Sequence, residues 1–265
     1  MSDQPILAER FSGYRVITLN RTDKLNAFND AMHLALRQAI DAAEADEDCR
    51  ALMITGAGRA FCAGQDLADR LASPGKTLVA GEALEKYYNP LVRRLRTLPF
   101  PVVAAVNGVA AGAGANIALA CDIVVAAKSA KFIQSFARIS LVPDSGGTWM
   151  LPRLVGHARA RGLALLAQEL PAETAAEWGL IWRCVDDETL AEETRRICEH
   201  FATAPTHGLS LVKRALDASA ANTLDAQLDL ELALQREAST HPDYQEGVSA
   251  FMEKRKPTFA GRRKP

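Results

Sequence analysis

Three short segments of this sequence combine small residues with groups that could take part in catalysis. They read A-F-C-A-G-Q-D-L at residues 60–67, G-V-A-A-G-A-G-A-N at residues 108–116 and V-P-D-S-G-G at residues 142–147. Glycine and alanine allow the backbone to approach a ligand closely, so such loops can direct bare N–H groups into a pocket. Two such loops facing each other would form an oxyanion hole, which stabilises a carbonyl oxygen as it gains negative charge. Taken singly, each segment could equally be a tight turn.

Asp144, in the third segment, is the acid that could transfer a proton. It follows Pro143 and precedes S-G-G, so it could instead be the N-cap of a helix. The five residues before it, I-S-L-V-P at residues 139–143, are mostly apolar. Apolar surroundings raise the pKa of a carboxyl group and suit it to accept and return a proton. Asp144 is therefore the candidate catalytic residue.

Other chemistries find weaker support. No G-x-S-x-G elbow occurs and the five histidines lie outside the three segments, which disfavours a hydrolase with a Ser/His or Cys/His pair. Cys62 has no recognisable base partner and is interpreted as a small buried residue. Residues 112–118, G-A-G-A-N-I-A, match a dinucleotide-binding fingerprint, but the acid expected ~20 residues later to hold the ribose is absent. NAD(P) binding is the weakest alternative.

Alternating strands and helices must position the three segments. Four strands are predicted, at Tyr14–Leu19, residues 51–55, Val102–Val106 and residues 123–126. Three helices are predicted between them, at about residues 29–45, 84–98 and 114–120. Strands that are separated by crossovers pair in parallel, so the pattern predicts an α/β fold with a parallel sheet.

After residue 143 the pattern is mainly helical, with one brief β-like run at residues 180–185. Helices are predicted at residues 189–202 and Leu224–Ser239, with later breaks at Pro242 and Gly247. Their apolar stripes must be covered by the α/β core or by another subunit, and a homo-oligomer interface is the preferred interpretation. The sequence thus divides into a core at residues 1–200 and a helical region at residues 201–265. The basic residues of its last segment, 254–265, are interpreted as a solvated tail.

The composition excludes several classes of protein. With 265 residues, 48% hydrophobic and 24% charged, the chain can bury a sizeable core. Its net charge of −1 gives no general attraction to nucleic acid or to an anionic membrane. Its five scattered cysteines lack a C-x-x-C pair, which predicts a reduced, cytoplasmic protein without structural zinc. The apolar run at residues 101–127 is interrupted by polar residues and residues 1–5 lack the features of a secretory signal, so neither a membrane span nor export is expected.

Taken together and in this order, the segments resemble the crotonase (enoyl-CoA hydratase/isomerase) superfamily over nearly the whole chain. The resemblance begins with N-R-T-D-K-L-N-A at residues 20–27 and runs through the A-F-C-A-G-Q-D-L and G-A-G loops. It continues with P-D-S-G-G-T-W-M-L-P-R-L-V-G at residues 143–156 and G-V-S-A-F-M-E-K-R-K-P-T-F at residues 247–259. Several motifs in a set order are more specific than any single loop. The resemblance implies an α/β fold, with a crotonase-like ββα spiral core followed by a C-terminal helical oligomerisation region.

The resemblance also implies a site. The backbone N–H groups of Gln65 and Ala113 would form the oxyanion hole for a thioester, and Asp144 would be the catalytic residue. Apolar side chains, including Phe136 and Trp149, would exclude water around the acyl group. Coenzyme A would enter as part of the substrate, with no separate cofactor, and the protein would be a trimer or a hexamer of two trimers. The residues expected to bind the coenzyme A thioester are Lys24, Leu25, Ala27, Ala63, Asp66, Leu67, Asn116 and Phe136.

The acids indicate which reaction of the family to expect. Hydratases of the family use two glutamates, and the corresponding positions here are Asn116 and Phe136, neither of which is acidic. One carboxylate suffices to move a proton, so the resemblance implies an isomerase of acyl-CoA thioesters. Residues 177–182 and 222–231 resemble the family's isomerases that convert the ring epoxide of phenylacetyl-CoA to an oxepin-CoA. The alternatives are a Δ3,Δ2-enoyl-CoA isomerase, a hydratase and a non-catalytic acyl-CoA-binding homologue.

Overall fold

Two β-sheets carry the fold in a computed structural model of the chain, which describes residues 4–68 and 81–262. The first three residues of the chain and the last three of its basic tail lie outside the described residues. The strands of the described part are β1 Ile6–Phe11, β2 Tyr14–Leu19, β3 Ala51–Gly56, β4 Ala60–Cys62, β5 Val102–Val106, β6 Val109–Ala111, β7 Ile123–Ala127, β8 Lys131–Ile133, β9 Glu169–Pro171 and β10 Arg183–Val185.

From β3 to β8, successive strands along the chain alternate between the two sheets. The larger sheet has the order β1-β2-β3-β5-β7-β10 and the smaller one the order β4-β6-β8-β9. The pairs β3–β4, β5–β6 and β7–β8 therefore each give one strand to each sheet, and helical turns follow each pair. Neighbours from β2 to β10 in the larger sheet are parallel, as predicted from the crossovers. This repetition is the expected ββα spiral.

Nine helices of six or more residues accompany these strands within the described residues. They are α1 Asp30–Ala45, α2 Asn89–Thr97, α3 Ala113–Leu119, α4 Gly147–Leu166, α5 Ala172–Glu177, α6 Leu190–Ala202, α7 Thr206–Ser219, α8 Leu224–Ser239 and α9 Pro242–Met252. A short helical run, Gly81–Ala83, and a π-helical turn, Leu84–Tyr88, lead into α2. Helix α4 is kinked at Gly156, whose φ is +75°. No described helix combines the length and the apolar content that crossing a bilayer requires.

Helices cover the larger sheet on both faces. Helix α1 begins where the Asn29 side chain accepts a hydrogen bond from the Met32 N–H at 3.0 Å, and it buries Met32, Leu36 and Ile40 at helical spacing. On the opposite face, Cys198 of α6 packs with residues such as Met53 of β3. Because both faces are covered, the central strands are apolar without alternation, and every residue of β5 is buried.

The four strands predicted from the first half of the sequence are observed to within one residue at each end. The run at residues 180–185 forms a strand only at Arg183–Val185. The predicted break at Gly247 is wrong, because Gly247 lies inside α9 with the ring of Phe259 3.6 Å from the position of an added Cβ. The predicted break at Pro242 is confirmed, because α8 ends at Ser239 and Pro242 begins α9, a position that suits a residue without an N–H.

The C-terminal helices leave much apolar surface uncovered within the described chain. Helix α7 is attached to the core by an ion pair between Lys213 Nζ and Asp122 Oδ2 at 2.7 Å. The exposed apolar side chains of α7, α8 and α9 are Val212, Leu216, Leu224, Leu228, Leu232, Tyr244, Val248, Phe251 and Met252.

The basic tail is only partly solvated. Residues 254–258 are exposed, as predicted. At Arg262 the prediction is wrong, because its guanidinium donates to the carbonyl oxygens of Asp46 at 3.1 Å and Cys49 at 3.2 Å. Arg50 in turn donates to the carbonyl of Phe259 at 2.9 Å. Backbone carbonyls that sequence patterns do not reveal thus bind the tail to the end of α1.

Candidate active site

One cavity of about 380 Å³ brings the three segments together. Its wall is mostly apolar and includes a single carboxylate among the described residues. The lining residues are Ala63, Gly64, Gln65, Leu67, Ala83, Leu84, Tyr88, Gly112, Ala113, Ser135, Phe136, Ile139, Leu141 and Asp144.

The first loop of the site is held by strand-like pairing with residues 25–28. The Ala63 N–H donates to the Leu25 carbonyl at 2.9 Å, and the Phe28 N–H donates to the Gly64 carbonyl at 2.7 Å. The Asp66 N–H then donates to the Phe28 carbonyl at 2.9 Å. Gly64 has a φ of +94°, which a glycine adopts without strain. This turn leaves the Gln65 N–H without a backbone acceptor among the described residues.

The second loop turns into helix α3. Gly112 has a φ of +54° and donates its N–H to the Ile133 carbonyl at 2.8 Å. Ala113 follows as the first residue of α3, and the N–H groups of a first turn have no acceptor within their own helix. Within the described residues the Ala113 N–H donates to no backbone carbonyl. It is therefore available to a ligand in the cavity.

The two loops are in contact, and glycines make this contact possible. A Cβ added at Gly64 would lie 3.4 Å from Ala113 N, and one at Gly114 would lie 2.3 Å from the Cys62 carbonyl oxygen. Any larger residue at position 114 would force the loops apart. The structure thus brings together the two backbone groups, of Gln65 and Ala113, that the sequence paired.

Asp144 lies in the wall of the same cavity. Its Oδ1 accepts a hydrogen bond from the Ser145 hydroxyl at 2.8 Å. Burial raises the pKa of the Asp144 carboxyl above its usual value, and the hydrogen bond from Ser145 opposes part of that rise. Ile139 and Leu141 line the cavity beside it, as the apolar run predicted. The N-cap interpretation is wrong, because Gly146 is the N-cap of α4 and no side chain caps that helix.

Asn116 is buried and is not among the described lining residues. Its Nδ2 donates to the Asp144 carbonyl oxygen at 2.8 Å, and its Oδ1 accepts from Gln134 Nε2 at 2.8 Å. A Cβ added at Gly147 would lie 2.3 Å from Asn116 Nδ2, so the start of α4 packs tightly on this amide. Both ends of the Asn116 amide are thus used within the protein, in contrast to the predicted contact with substrate. Phe136, at the second of the two positions where hydratases of the family carry glutamates, does line the cavity.

The residues expected around coenzyme A lie on the paired segments 21–28 and 63–67. Ala63 and Leu67 line the cavity. The buried Asp66 carboxylate forms an ion pair with Arg21 at 3.0 Å, a partner that sequence reasoning missed. Leu25 pairs with the first loop through its carbonyl, Ala27 is buried and Lys24 is exposed on the turn Thr22–Lys24.

The structure corrects the expectation for one aromatic residue and adds another residue to the site. Trp149 is not among the described lining residues, because its ring packs against the guanidinium of Arg153, 4.2 Å from the ring centroid. Tyr88 does line the cavity, although sequence reasoning passed over it. Its hydroxyl donates to Gln65 Oε1 at 3.0 Å. The signal that could have found it is the pair of tyrosines in the otherwise polar run L-E-K-Y-Y-N at residues 84–89.

The cysteines and possible metal ligands offer no other chemistry in the described part of the chain. All five cysteines are free. Cys62 is fully buried, as predicted, and burial raises the pKa of its thiol to about 12, so it is protonated at neutral pH. No group of three or more His, Cys, Asp or Glu side chains in residues 4–68 and 81–262 is placed to hold a metal ion.

Comparisons with known proteins agree with this geometry. Residues 9–262 match the enoyl-CoA hydratase/isomerase family. The chain is 55% identical to the 1,2-epoxyphenylacetyl-CoA isomerase of Escherichia coli, over 97% of this chain and 98% of that protein. It is 49% identical to a protein of Rhodobacter capsulatus named "Probable enoyl-CoA hydratase", over 99% of this chain and 100% of that protein. The crystal structure of an enoyl-CoA hydratase from Bacillus anthracis superposes with a TM-score of 0.92 at 31% identity, covering 97% of this chain and 100% of the other. The chain therefore belongs to the enoyl-CoA hydratase/isomerase family.

Proposed function

We propose that the protein is an acyl-CoA isomerase that converts ring-1,2-epoxyphenylacetyl-CoA to oxepin-CoA in phenylacetate catabolism. The observation that carries the proposal is the presence of one carboxylate, Asp144, among the described residues of a cavity where two backbone amides meet. The 55% identity to an isomerase of this name over 97% of the chain supports the choice of substrate.

In the proposed mechanism the N–H groups of Gln65 and Ala113 bind the thioester oxygen. Asp144 removes a proton from the carbon next to the thioester, and the two amides stabilise the negative charge of the resulting enolate. The electron pair of the enolate then forms a C=C bond to the substituted ring carbon, and the ring C–C bond that bears the epoxide breaks. Both C–O bonds remain, so the six-membered ring expands to the seven-membered oxepin. The displaced electrons shift along the ring diene, and Asp144 returns the proton to the ring carbon γ to the thioester, so the reaction is balanced without water or a second substrate. The raised pKa of Asp144 suits it to both proton transfers.

Hydration is disfavoured by the surroundings of Asp144. Adding water requires one group to activate the nucleophile and another to protonate carbon. At the two positions where hydratases of the family carry glutamates, the Asn116 amide is hydrogen-bonded to Gln134 and to the Asp144 carbonyl, and Phe136 presents a ring. A Δ3,Δ2-enoyl-CoA isomerase is the second candidate, because the Asp144 carboxylate alone can move a proton between two carbons.

We further propose that coenzyme A binds as part of the substrate along residues 21–28 and 63–67, with no separate cofactor. Lys24, Leu25, Ala27, Asp66 and the lining residues Ala63 and Leu67 are the proposed contacts. The hydrogen-bonded pairing of these two segments beside the cavity supports this placement.

The proposal includes a homo-oligomer, either a trimer or a hexamer of two trimers. Its support is the row of exposed apolar side chains on α7, α8 and α9, since large uncovered apolar patches mark interaction surfaces. We also propose that the protein acts in the cytoplasm, which the five free cysteines support.

The test is turnover by the wild type and by Asp144→Asn in deuterated buffer, with products followed by mass spectrometry. We expect the wild type to convert ring-1,2-epoxyphenylacetyl-CoA, and the variant to lose ~100- to 10,000-fold in rate because its amide cannot accept the proton. Glu188→Gln, which makes the same change at an exposed acid outside the cavity, is the matched control and should retain full activity.

Three outcomes would contradict the proposal. Normal turnover by Asp144→Asn would exclude that carboxylate as the base. Conversion of a linear 3-enoyl-CoA but not of the epoxide would make the protein an enoyl-CoA isomerase. Binding of both compounds without turnover would identify a non-catalytic homologue.

A further inference from the structure

The side-chain amide of Gln65 is hydrogen-bonded within the protein. Its Nε2 donates to the Phe28 carbonyl at 2.9 Å, and its Oε1 accepts from the Tyr88 hydroxyl at 3.0 Å. Both ends of the amide therefore have protein partners, although Gln65 lines the cavity. A side chain bound at both ends restricts the backbone that carries it, because a large rotation of that backbone would pull the amide away from one of its two partners.

The two partners of Gln65 hold it from different elements. Phe28 belongs to the segment that pairs with the loop, since its own N–H donates to the Gly64 carbonyl and its carbonyl accepts from the Asp66 N–H. Tyr88 belongs to the π-helical turn Leu84–Tyr88, which leads into α2. π-helical turns inside helices occur frequently at functional sites.

Tyr88 is well placed to hold its partner firmly. Only 2% of the residue is exposed, and its ring packs edge-on against Phe28, with 5.9 Å between the ring centroids. Its ring also meets the buried His33 ring edge-on, with 4.5 Å between the centroids. The phenol oxygen therefore has little freedom to move away from Gln65. Phe28 also bonds Gln65 directly, so these three residues form one connected unit.

We propose that Tyr88 is a positioning residue, which holds Gln65 so that its backbone N–H points at the substrate thioester. This inference rests on the proposed function, in which that N–H is one of two oxyanion donors. The need for such a support follows from the loop itself, because Gly64 precedes Gln65 at a φ of +94° and glycine restricts the backbone less than any other residue. Ala113, the other donor, also follows a glycine at positive φ, Gly112, but its own backbone is the first residue of α3 and is held by the hydrogen-bonded turns of that helix.

The experiment compares Tyr88→Phe with Tyr87→Phe, a matched control. Tyr87 is also buried, but its ring stacks on His33 and is not among the described residues of the cavity wall. The probe is phenylacetyl-CoA labelled with ¹³C at the thioester carbonyl, which lacks the epoxide and does not react. Infrared difference spectra of the bound probe report the hydrogen bonds to its carbonyl, and steady-state kinetics with the epoxide give kcat and KM separately.

We expect Tyr88→Phe to move the carbonyl band part of the way back to its position in water. We expect kcat to fall ~10-fold with KM nearly unchanged, a smaller loss than the ~100- to 1000-fold that follows removal of a whole donor. Tyr87→Phe should change neither quantity. In a Gln65→Met background, which lacks both side-chain hydrogen bonds, Tyr88→Phe should add less than ~2-fold, because coupled residues are not additive.

Several results would overturn the inference. These are an unchanged carbonyl band in Tyr88→Phe, a rise in KM at constant kcat, and a full loss from Tyr88→Phe in the Gln65→Met background. If the carbonyl band of the probe bound to the wild type has the same frequency as in water, the oxyanion hole of the proposed function is wrong, and so is the role of Tyr88. If the band is shifted equally in the wild type and in Tyr88→Phe, only the role of Tyr88 is wrong.

Discussion

The cavity loops and the C-terminal helices differ in where their interaction partners come from. Around the cavity, the side chains of Gln65 and Asn116 and the carboxylate of Asp66 all bond to groups of the same chain. On α7, α8 and α9, apolar side chains such as Phe251, which is 82% exposed, have no comparable cover within the described residues. A catalytic site needs its geometry before the substrate arrives, whereas an assembly surface is completed by its partner. The comparison predicts that substitutions in the two regions will have different consequences.

The largest expected effect comes from separating the two loops. In Gly114→Ala the new Cβ would lie 2.3 Å from the Cys62 carbonyl oxygen, so the N–H groups of Gln65 and Ala113 could no longer face one oxygen atom. We expect activity to fall by at least ~100-fold, since small displacements at a reacting centre have effects of this size. We also expect the free energy of unfolding to fall by ~2 kcal/mol. Turnover assays and thermal unfolding measure the two effects.

Gly162→Ala is the control for that substitution. Gly162 lies in α4 with no atom within 4 Å of an added Cβ, and alanine stabilises a helix interior by ~0.5–1 kcal/mol relative to glycine. The two glycine variants should therefore change stability in opposite directions. A Gly114→Ala variant with normal activity would show that the contact between the loops is unimportant.

The ion pair that attaches α7 to the core should have the next largest effect. Lys213 Nζ lies 2.7 Å from Asp122 Oδ2, and the two side chains are only 11% and 20% exposed. Lys213→Met leaves a poorly solvated carboxylate, so we expect the free energy of unfolding to fall by ~3 kcal/mol. Chemical denaturation of the variant and of the wild type measures this difference in the free energy of unfolding.

Arg214→Met on the same helix is the control for the ion pair. Arg214 pairs with Glu237 at 3.0 Å, but both side chains are well exposed, so the loss should be below ~1 kcal/mol. Equal losses from Lys213→Met and Arg214→Met would mean that burial of the first pair does not matter.

Assembly is expected to depend on the C-terminal helices and not on the cavity. Phe251→Glu places a charge on the exposed apolar surface of α9. We expect the dissociation constant of the oligomer to rise by ~30-fold or more. Sedimentation velocity over a range of concentrations measures this shift. Leu165→Glu makes the same kind of change at an exposed residue of α4. Dissociation by Leu165→Glu alone would exclude the C-terminal helices as the interface.

The smallest effect concerns the stability cost of burying the Asp144 carboxyl group. Burial raises the pKa of Asp144, so the folded protein holds this proton more tightly than the unfolded chain. Stability from this group therefore falls as pH rises through the folded-state pKa, and the cost is fully present above it. Asp144→Asn removes the cost, so we expect a gain of less than ~1 kcal/mol at pH 7, despite the loss of activity.

Thermal unfolding of Asp144→Asn and of the wild type at several pH values tests this sign. The gain should shrink as the pH falls toward about 4, near the ordinary pKa of aspartate. In the wild type, kcat/KM should fall with decreasing pH as Asp144 becomes protonated, and this fall should begin above the ordinary aspartate range. A variant that is less stable than the wild type at pH 7 would contradict the raised pKa.

The sequence was sufficient for the parts of the fold that depend on local pattern. The strands Tyr14–Leu19 and Val102–Val106 and the helix Leu224–Ser239 were predicted at their observed ends, because apolar periodicity and flanking residues reveal them. The position of Gly247 inside α9 and the hydrogen bonds of Arg262 were not predicted correctly. Both residues contact groups that lie far from them in the chain. The Phe259 ring lies beside Gly247, and Arg262 bonds to carbonyls at the end of α1.

By itself the sequence determined the family and the three segments, and it identified Asp144 as the candidate acid, since residue type and order along the chain carry this information. Only the tertiary structure decided that Gln65 and Ala113 face one cavity, that Asn116 bonds to Gln134 and the Asp144 carbonyl, and that Tyr88 bonds to Gln65. These facts depend on contacts between residues far apart in the chain. Such contacts arise from the packing of whole elements, and no local pattern of residues encodes them.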